Sequence, residues 1–245
     1  TMKKMNALIP ARGGSKGVPK KNIKELIDHP LLAYSISACK MAGSIGRVIV
    51  STDNQEIADV ALKYGAEVPF IRPPELATDD SKDIDVIEHY FKEVSGEEVA
   101  YIRPTTPLRL PNVIDYCIEN YYDNQQEHCT GVRSMHELPE SPHKMFMIND
   151  DGECCGFFPD FNGIKNYTNL PRQMFPKAYQ PNGYLDIVKK STLSGGDTFG
   201  DIILPIVTEE VIEVDTQYQF NQLEDLLRVR GHILLSGLNN DQDGT

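Results

Sequence analysis

The sequence predicts an α/β protein with a mostly parallel sheet, on three observations. Short, continuously apolar runs alternate with amphipathic helical periods through the first half, the pattern of βαβ units buried on both faces. A basic, glycine-rich loop follows the first apolar run directly. Each later apolar run in that half also ends in polar residues suited to a ligand, and in a parallel sheet ligands sit beyond the carboxyl ends of the strands.

Ala7–Ile9 reads as a buried strand that opens into Pro10-Ala11-Arg12-Gly13-Gly14-Ser15-Lys16-Gly17-Val18-Pro19-Lys20-Lys21-Asn22. Between Arg12 and Lys24 lie five basic residues and no acidic one, in a chain of net charge −12. Glycines allow close backbone approach and positive φ, and with cations around them they make a phosphate cradle. The order fits neither G-x-x-x-x-G-K-[ST], because Val18-Pro19 follows Gly17, nor G-x-G-x-x-G.

Leu31–Ala42 reads as a helix and Val48–Ser51 as a strand ending in Ser51-Thr52-Asp53. In the next helix, Gln55–Tyr64, residues Ile57, Val60, Ala61 and Tyr64 share a face before Gly65 stops it. Val68–Ile71 is expected as a third strand leading to Arg72-Pro73-Pro74, and Asp83–Val94 as a helix. A fourth strand, Val99–Ile102, runs into Arg103-Pro104-Thr105-Thr106-Pro107-Leu108-Arg109, and Val113–Tyr122 reads as a helix. Two prolines fix that loop and present two hydroxyls and two arginines around it, the rigid donors an anionic ligand needs.

Past residue 134 the texture changes. Prolines at 139, 142, 159, 171, 176 and 181, with the turn Asn149-Asp150-Asp151-Gly152, mark 135–182 as an inserted β-rich arm between core segments 2–134 and 183–238. Tyr184–Val188 and Ile202–Ile206 then read as strands and Phe220–Arg230 as a helix, with Asn239–Thr245 polar and frayed. Asp186 reads as a strand-end acid. In Glu213-Val214-Asp215 the two acids alternate, so on a strand both face one side. Two carboxylates can hold a Mg²⁺ that keeps several waters and bridges to phosphate.

Composition removes several classes. With 245 residues, 40% hydrophobic and 24% charged, the chain is an ordinary globular one. No apolar run approaches the roughly 18 residues of a membrane span, and no signal-type apolar stretch opens the chain, so a cytoplasmic protein with no membrane partner is expected. A net −12 without a basic stripe argues against nucleic acid. The five cysteines show no C-x-x-C spacing and fit neither a disulfide framework nor a zinc site.

The order Ala11-Arg12-Gly13-Gly14-Ser15-Lys16-Gly17, with Pro19, Lys21 and Asn22, closely resembles the nucleotide loop of the acylneuraminate cytidylyltransferases. That family transfers CMP from CTP to a nine-carbon 2-keto sugar acid. Val50-Ser51-Thr52-Asp53, Arg72-Pro73 with Leu76-Ala77, Pro104-Thr105-Thr106-Pro107-Leu108-Arg109, Pro181-Asn182-Gly183 and the paired acids are similar to further family motifs. The likeness extends from about Lys4 to Leu235.

The resemblance implies a Rossmann-like nucleotidyltransferase core, a small dimerisation arm at 135–182 and a homodimer. It implies CTP and a 2-keto sugar acid as substrates and Mg²⁺ as cofactor. Arg12, Lys21 and Asp215 would be catalytic. Ala11, Arg12, Gly13, Gly14, Ser15, Lys16, Lys21, Asn22, Arg72 and Ser81 would hold the nucleotide. Arg103, Thr105, Thr106, Lys144, Arg172 and Asn182 would hold the sugar, and Asp215 with Glu213 the metal. Three departures stand out: Arg103 replaces a glutamine, Glu213 an aspartate, and Tyr184-Leu185-Asp186 a run of small and apolar residues. They leave sialic, legionaminic, pseudaminic and KDO-like acids open, and with them a different nucleotide. A glycosyltransferase of related fold and a catalytically silent binding protein are the rival classes.

Overall fold

The computed structural model describes residues 3–125 and 128–242. The first part of the chain gives β1 (Met5–Pro10), the short pair β2 (Glu25–Leu26) and β3 (His29–Pro30), α1 (Leu31–Met41), β4 (Ile45–Ser51), α2 (Gln55–Lys63), α3 (Asp83–Glu93), β5 (Glu98–Tyr101) and α4 (Pro111–Asn120). Then follow β6 (Gly131–Glu137), β7 (Phe146–Ile148), β8 (Cys154–Gly156), β9 (Tyr179–Lys189), α5 (Lys190–Leu193), β10 (Ile203–Val207), α6 (Gln217–Arg230) and α7 (Ile233–Gln242).

Six strands form one sheet in the order β10-β6-β9-β5-β1-β4. β1 runs parallel to β4 and β5, and β6 parallel to β10; β9 alone is antiparallel to its neighbours β5 and β6. The mostly parallel sheet expected from the sequence is therefore present. Both faces are covered, which is why the strands are continuously apolar. Ala7, Ile9, Val50 and Ile187 pack with the buried residues of α1, while Leu8, Ile49, Val99 and Val188 pack with Ile87, Tyr90 and Phe91 of α3. Among the described residues no helix is long and apolar enough to cross a membrane.

Several sequence expectations are corrected. Val68–Ile71 is not a strand: a single bridge, Ile49 to Glu67, forms at the edge of β4. Pro69 has no N–H with which to extend the ladder. The segment still follows β4, with Val50 N–H donating to Glu67 O at 2.9 Å and Arg72 N–H to Thr52 O at 2.8 Å. Asp186 is not at a strand end but in β9, opposite Tyr101 on one side and Arg133 on the other. The polar tail expected to fray continues α7 as far as Gln242. Its Asn239 Oδ1 lies 2.9 Å from Nε2 of the buried His29, and residues 243–245 lie outside the described residues.

Between β6 and β9 the arm holds one antiparallel hairpin, β7 with β8, and three single-turn helices. It is organised by rings rather than by strands: His143 stacks on Phe158 at 4.6 Å and on Phe175 at 4.9 Å. The expected junctions at 134/135 and 182/183 fall inside β6 and β9, which belong to the central sheet.

Candidate active site

The basic loop is stapled by the ends of β1 and β4. Ala11, fully buried, donates its N–H to Ser51 O at 2.9 Å, and Gly13 N–H donates to Asp53 Oδ1 at 2.8 Å. Asn22 Nδ2 returns to Arg12 O at 3.0 Å and closes the loop. The positive φ expected of the loop glycines falls instead on Lys20, at 52°. Gly17 is needed for a different reason: a Cβ there would stand 1.9 Å from the carbonyl oxygen of Asp215. Only a residue without a side chain lets the loop lie against that distant segment.

That contact opens a cleft of about 360 Å³ whose wall includes Arg12, Gly14, Ser15, Lys21 and Asn22 from the loop, with Glu213 and Asp215 facing them. Lys21 Nζ donates to Val214 O at 2.8 Å and to Asp215 Oδ1 at 3.1 Å. Residues 213–215 form no strand, yet the expected alternation holds: Val214 is fully buried between two acids that line the cleft. Val214 N–H donates to Thr105 O at 2.7 Å, and Thr105 Oγ1 to Glu213 Oε1 at 3.2 Å. The sequence Asp215-Thr216-Gln217-Tyr218-Gln219 builds a capping box. Thr216 Oγ1 accepts from Gln219 N–H at 3.3 Å, and Gln219 Oε1 accepts the N–H groups of Asp215 and Thr216 at 2.9 Å. Helix α6 thereby fixes Asp215 at its N-terminus.

The loop cations meet a carboxylate. Arg12 Nη2 lies 2.8 Å from Asp79 Oδ1 and Lys16 Nζ 2.7 Å from Asp79 Oδ2, while Arg12 Nη1 donates to Thr78 O at 2.6 Å. Hydrogen bonds from Lys16 and then Arg12 hold the Asp79 carboxyl below its usual range. Lys16 is exposed and does not itself line the cleft. Ser81 Oγ accepts from Thr78 N–H at 2.9 Å and donates to Glu75 O at 3.3 Å, which shapes the loop carrying Asp79. Arg72 is 3% exposed and donates to Ser51 O at 3.2 Å and Leu76 O at 3.3 Å, with burial lowering its pKa. It reaches the cleft wall together with Ser81.

On the opposite wall, Arg103 and Thr105 face the cleft. Arg109 does not. It is fully buried and donates to the carbonyls of Arg103, Thr106, Gly183 and Tyr184 and to Ser35 Oγ. Burial pushes its pKa down to about 10. Of the two arginines flanking the proline loop, one thus holds the loop and the other is presented. Thr106 is also buried, with Oγ1 donating to Asn182 O at 3.0 Å. Asn182 borders a second recess of about 500 Å³, with His136 and Gln180, that shares Glu213 with the first.

Lys144 and Arg172, expected at the sugar, line neither recess. Lys144 Nζ donates to Thr168 O at 2.8 Å and Arg172 Nη1 lies 3.8 Å from Glu140 Oε1, both within the arm. Asp79, Asp83 and Tyr101 line the cleft without having been singled out in the sequence. For Asp79 the signal was there: an acidic pair, Asp79-Asp80, in a chain segment that must face a loop free of acids. Among the described residues no cluster of three or more His, Cys, Asp or Glu could hold a metal. The two acids Glu213 and Asp215 are nonetheless the donor set suited to Mg²⁺, which takes one or two carboxylates and completes its shell with water and phosphate.

A parallel α/β sheet with a basic glycine loop and paired acids across one cleft defines a protein that handles nucleotide phosphates. The family model described as cytidylyltransferase matches residues 6–158. The chain is 43% identical over 239 residues to the CMP-N,N'-diacetyllegionaminic acid synthase of Legionella pneumophila, an alignment covering 94% of this chain and 98% of that one. It is 34% identical over 181 residues to a pseudaminic acid cytidylyltransferase of Campylobacter jejuni, covering 72% and 74%. A solved CMP:2-keto-3-deoxy-manno-octonic acid synthetase, complexed with CTP, shares the fold at a TM-score of 0.69 and 13% identity, covering 92% of this chain and 99% of that one. This chain belongs to the cytidylyltransferase family, and its core is the Rossmann-like nucleotidyltransferase fold.

Proposed function

We propose that the protein is a CMP-nonulosonic acid synthetase: it transfers CMP from CTP to a sialic-type 2-keto sugar acid and releases pyrophosphate. The observation that carries the reading is the convergence of Arg12, Lys21 and Asp215 on one cleft, in a chain whose relatives are named for this activity. The anomeric hydroxyl of the sugar acid attacks the α-phosphorus, the bond to the pyrophosphate oxygen breaks, and the hydroxyl proton leaves to solvent.

Each residue has a part in that step. Arg12 and Lys21 bind the triphosphate and stabilise the charge that builds on the α-phosphate and the leaving group. Ala11, Gly13 and Gly14 bring the backbone close to the phosphates, with Ser15, Lys16 and Asn22 beside them. Arg72 and the loop held by Ser81 border the base and ribose. Arg103, Thr105 and Asn182 serve the sugar side, and Thr106 supports them from beneath. Asp215, with Glu213 beside it, would hold Mg²⁺, which when bound supplies neutralising charge to the phosphate oxygens.

We also infer a homodimer through the arm, where Phe146, Ile148 and Phe157 are exposed at 54%, 76% and 50%, an apolar surface of the kind that marks association. Lys144 and Arg172 ride on that arm, so their proposed service to the sugar would be to a neighbouring copy. The glycosyltransferase alternative gains nothing from the site, because the basic glycine loop follows the first strand of the sheet and the acid pair comes only after the last.

The test is pyrophosphate release, with each nucleoside triphosphate crossed against a panel of nonulosonic acids and a KDO-type acid. Release that requires CTP, Mg²⁺ and a nine-carbon acid is expected. Release with another nucleotide would overturn the cytidylyl assignment, and silence throughout would overturn the enzyme reading.

A further inference from the structure

Three loop cations are laid out in order of depth. The Lys21 side chain is 13% exposed, that of Arg12 33% and that of Lys16 79%, so positive charge runs from the floor of the cleft to beyond its rim. These three are matched to two acids: Lys21 to Asp215, and Arg12 and Lys16 together to Asp79. The two acids are held very differently.

Asp215 belongs to the frame. Its N–H donates to Gln219 Oε1 at 2.9 Å, its carbonyl lies against Gly17, and Val214 before it is fully buried. Asp79 is exposed, on a turn closed locally: Ser81 N–H donates to Thr78 O at 3.3 Å, and Ser81 Oγ lies 3.0 Å from Thr78 Oγ1. The loop cations tie that turn across the cleft, with Arg12 Nη2 and Lys16 Nζ on the Asp79 carboxylate and Arg12 Nη1 on Thr78 O. Exposed ion pairs are weak and exchange readily for another anion. The inner pair is therefore built to stay and the outer one to part and re-form.

The consequence falls on the anion that leaves. On the synthetase reading above, the α-phosphate meets Lys21 and Asp215 at the floor, and the two phosphates beyond it lie outward on Arg12 and Lys16. They depart together as pyrophosphate once the bond to the α-phosphorus breaks. Cations that bind a polyanion well enough to stabilise it as a leaving group also retain it as a product. Asp79 counters this: it is tethered within reach of both cations, so its effective concentration there is high. We propose that Asp79 is an internal competitor for pyrophosphate, reclaiming Arg12 and Lys16 as the phosphates loosen and so favouring their release. The identity of the leaving anion rests on the synthetase reading; the competition rests on the two ion pairs.

The experiment titrates inorganic pyrophosphate, without divalent cation, into the wild type, Asp79→Asn and Asp80→Asn by calorimetry, and measures inhibition of CMP-sugar formation by pyrophosphate for the same three. Asp80 is exposed on the same turn and lines no part of the cleft, so its variant removes the same charge without touching the clasp. Asp79→Asn is expected to bind pyrophosphate roughly three- to tenfold more tightly, the scale of relieving two exposed ion pairs, and Asp80→Asn to stay close to the wild type. The gain should shrink in high salt, which screens exposed pairs. The inhibition constant of Asp79→Asn should fall with its dissociation constant. Equal or weaker binding by Asp79→Asn, an equal gain in Asp80→Asn, or no pyrophosphate binding by any of the three would overturn the proposal. A wild type that binds pyrophosphate but forms no CMP-sugar from any acid would overturn the synthetase reading alone, because the titration needs no turnover and still decides the competition.

Discussion

Lys21 and Asp215, 194 positions apart, meet at 3.1 Å between Nζ and Oδ1. The lysine is only 13% exposed in its side chain and the aspartate 61%, so the cation is held in place while the acid keeps a face toward the cleft. Lys21→Ala should lower kcat/KM for CTP by about 10²–10³-fold, the usual scale for losing one positioned charge at a transferring phosphoryl group. Circular dichroism should show the fold retained. Activity within a factor of two of wild type would remove Lys21 from the phosphate site.

Glu213 and Asp215 should not be equivalent. Glu213 accepts a hydrogen bond from Thr105 Oγ1, while Asp215, paired with Lys21 through one oxygen only, keeps 61% of its side chain exposed at the N-terminus of α6. Asp215→Asn is therefore expected to raise the Mg²⁺ concentration needed for half-maximal activity far more than Glu213→Gln, and a chelator should abolish activity in the wild type. A Mg²⁺ titration of the three proteins checks this. The opposite ranking would make Glu213 the ligand.

Asp79 occupies Arg12 and Lys16 together, so a triphosphate has to displace it. Asp79→Asn should tighten CTP binding several-fold by calorimetry. The Asp79 pKa is lowered in the folded protein. Its contact therefore persists above the unfolded carboxylate pKa and is lost only as pH falls through the lower folded value. The mutant's advantage should accordingly be constant from about pH 6 to 9. Weaker CTP binding by Asp79→Asn would show that the acid contacts the nucleotide directly.

Gly17→Ala tests the approach of the loop to residue 215. The added methyl would stand 1.9 Å from Asp215 O, so backbone must shift, and overpacking of this kind costs about 1–3 kcal/mol. A melting temperature lowered by several degrees, with activity reduced more than stability explains, is expected. A neutral substitution would contradict the close contact.

Ile148 and Phe146 sit exposed on β7 of the arm. Replacing both with Ser should convert the proposed dimer to monomer in sedimentation velocity. A wild type that already sediments as a monomer would contradict the role given to the arm.

Much of this site was legible because it lies at strand ends. Apolar runs located β1, β4 and β5; the polar residues after β1 and β5 line the cleft, and Asp53 after β4 holds the glycine loop. The loop motif located Arg12, Lys21 and Asn22. What was hidden depended on contacts distant in sequence. Pro69 broke a strand that its apolar neighbours suggested. Arg109 read like Arg103, and only the carbonyls of Gly183 and Tyr184 show that it faces inward. Asp186 looked like a strand end because nothing local reveals that β9 runs between two arginine-bearing segments. Lys144 and Arg172 lie next to Pro142 and Pro171, and prolines fix turns without saying which surface a neighbouring side chain meets.

The most direct measurement is a crystal structure with CTP and Mg²⁺. The account predicts triphosphate oxygens on Arg12 and Lys21, Asp79 displaced from the loop, and Mg²⁺ held by Asp215. A nucleotide bound away from the loop, or a triphosphate bound with Asp79 still clasping Arg12 and Lys16, would contradict it.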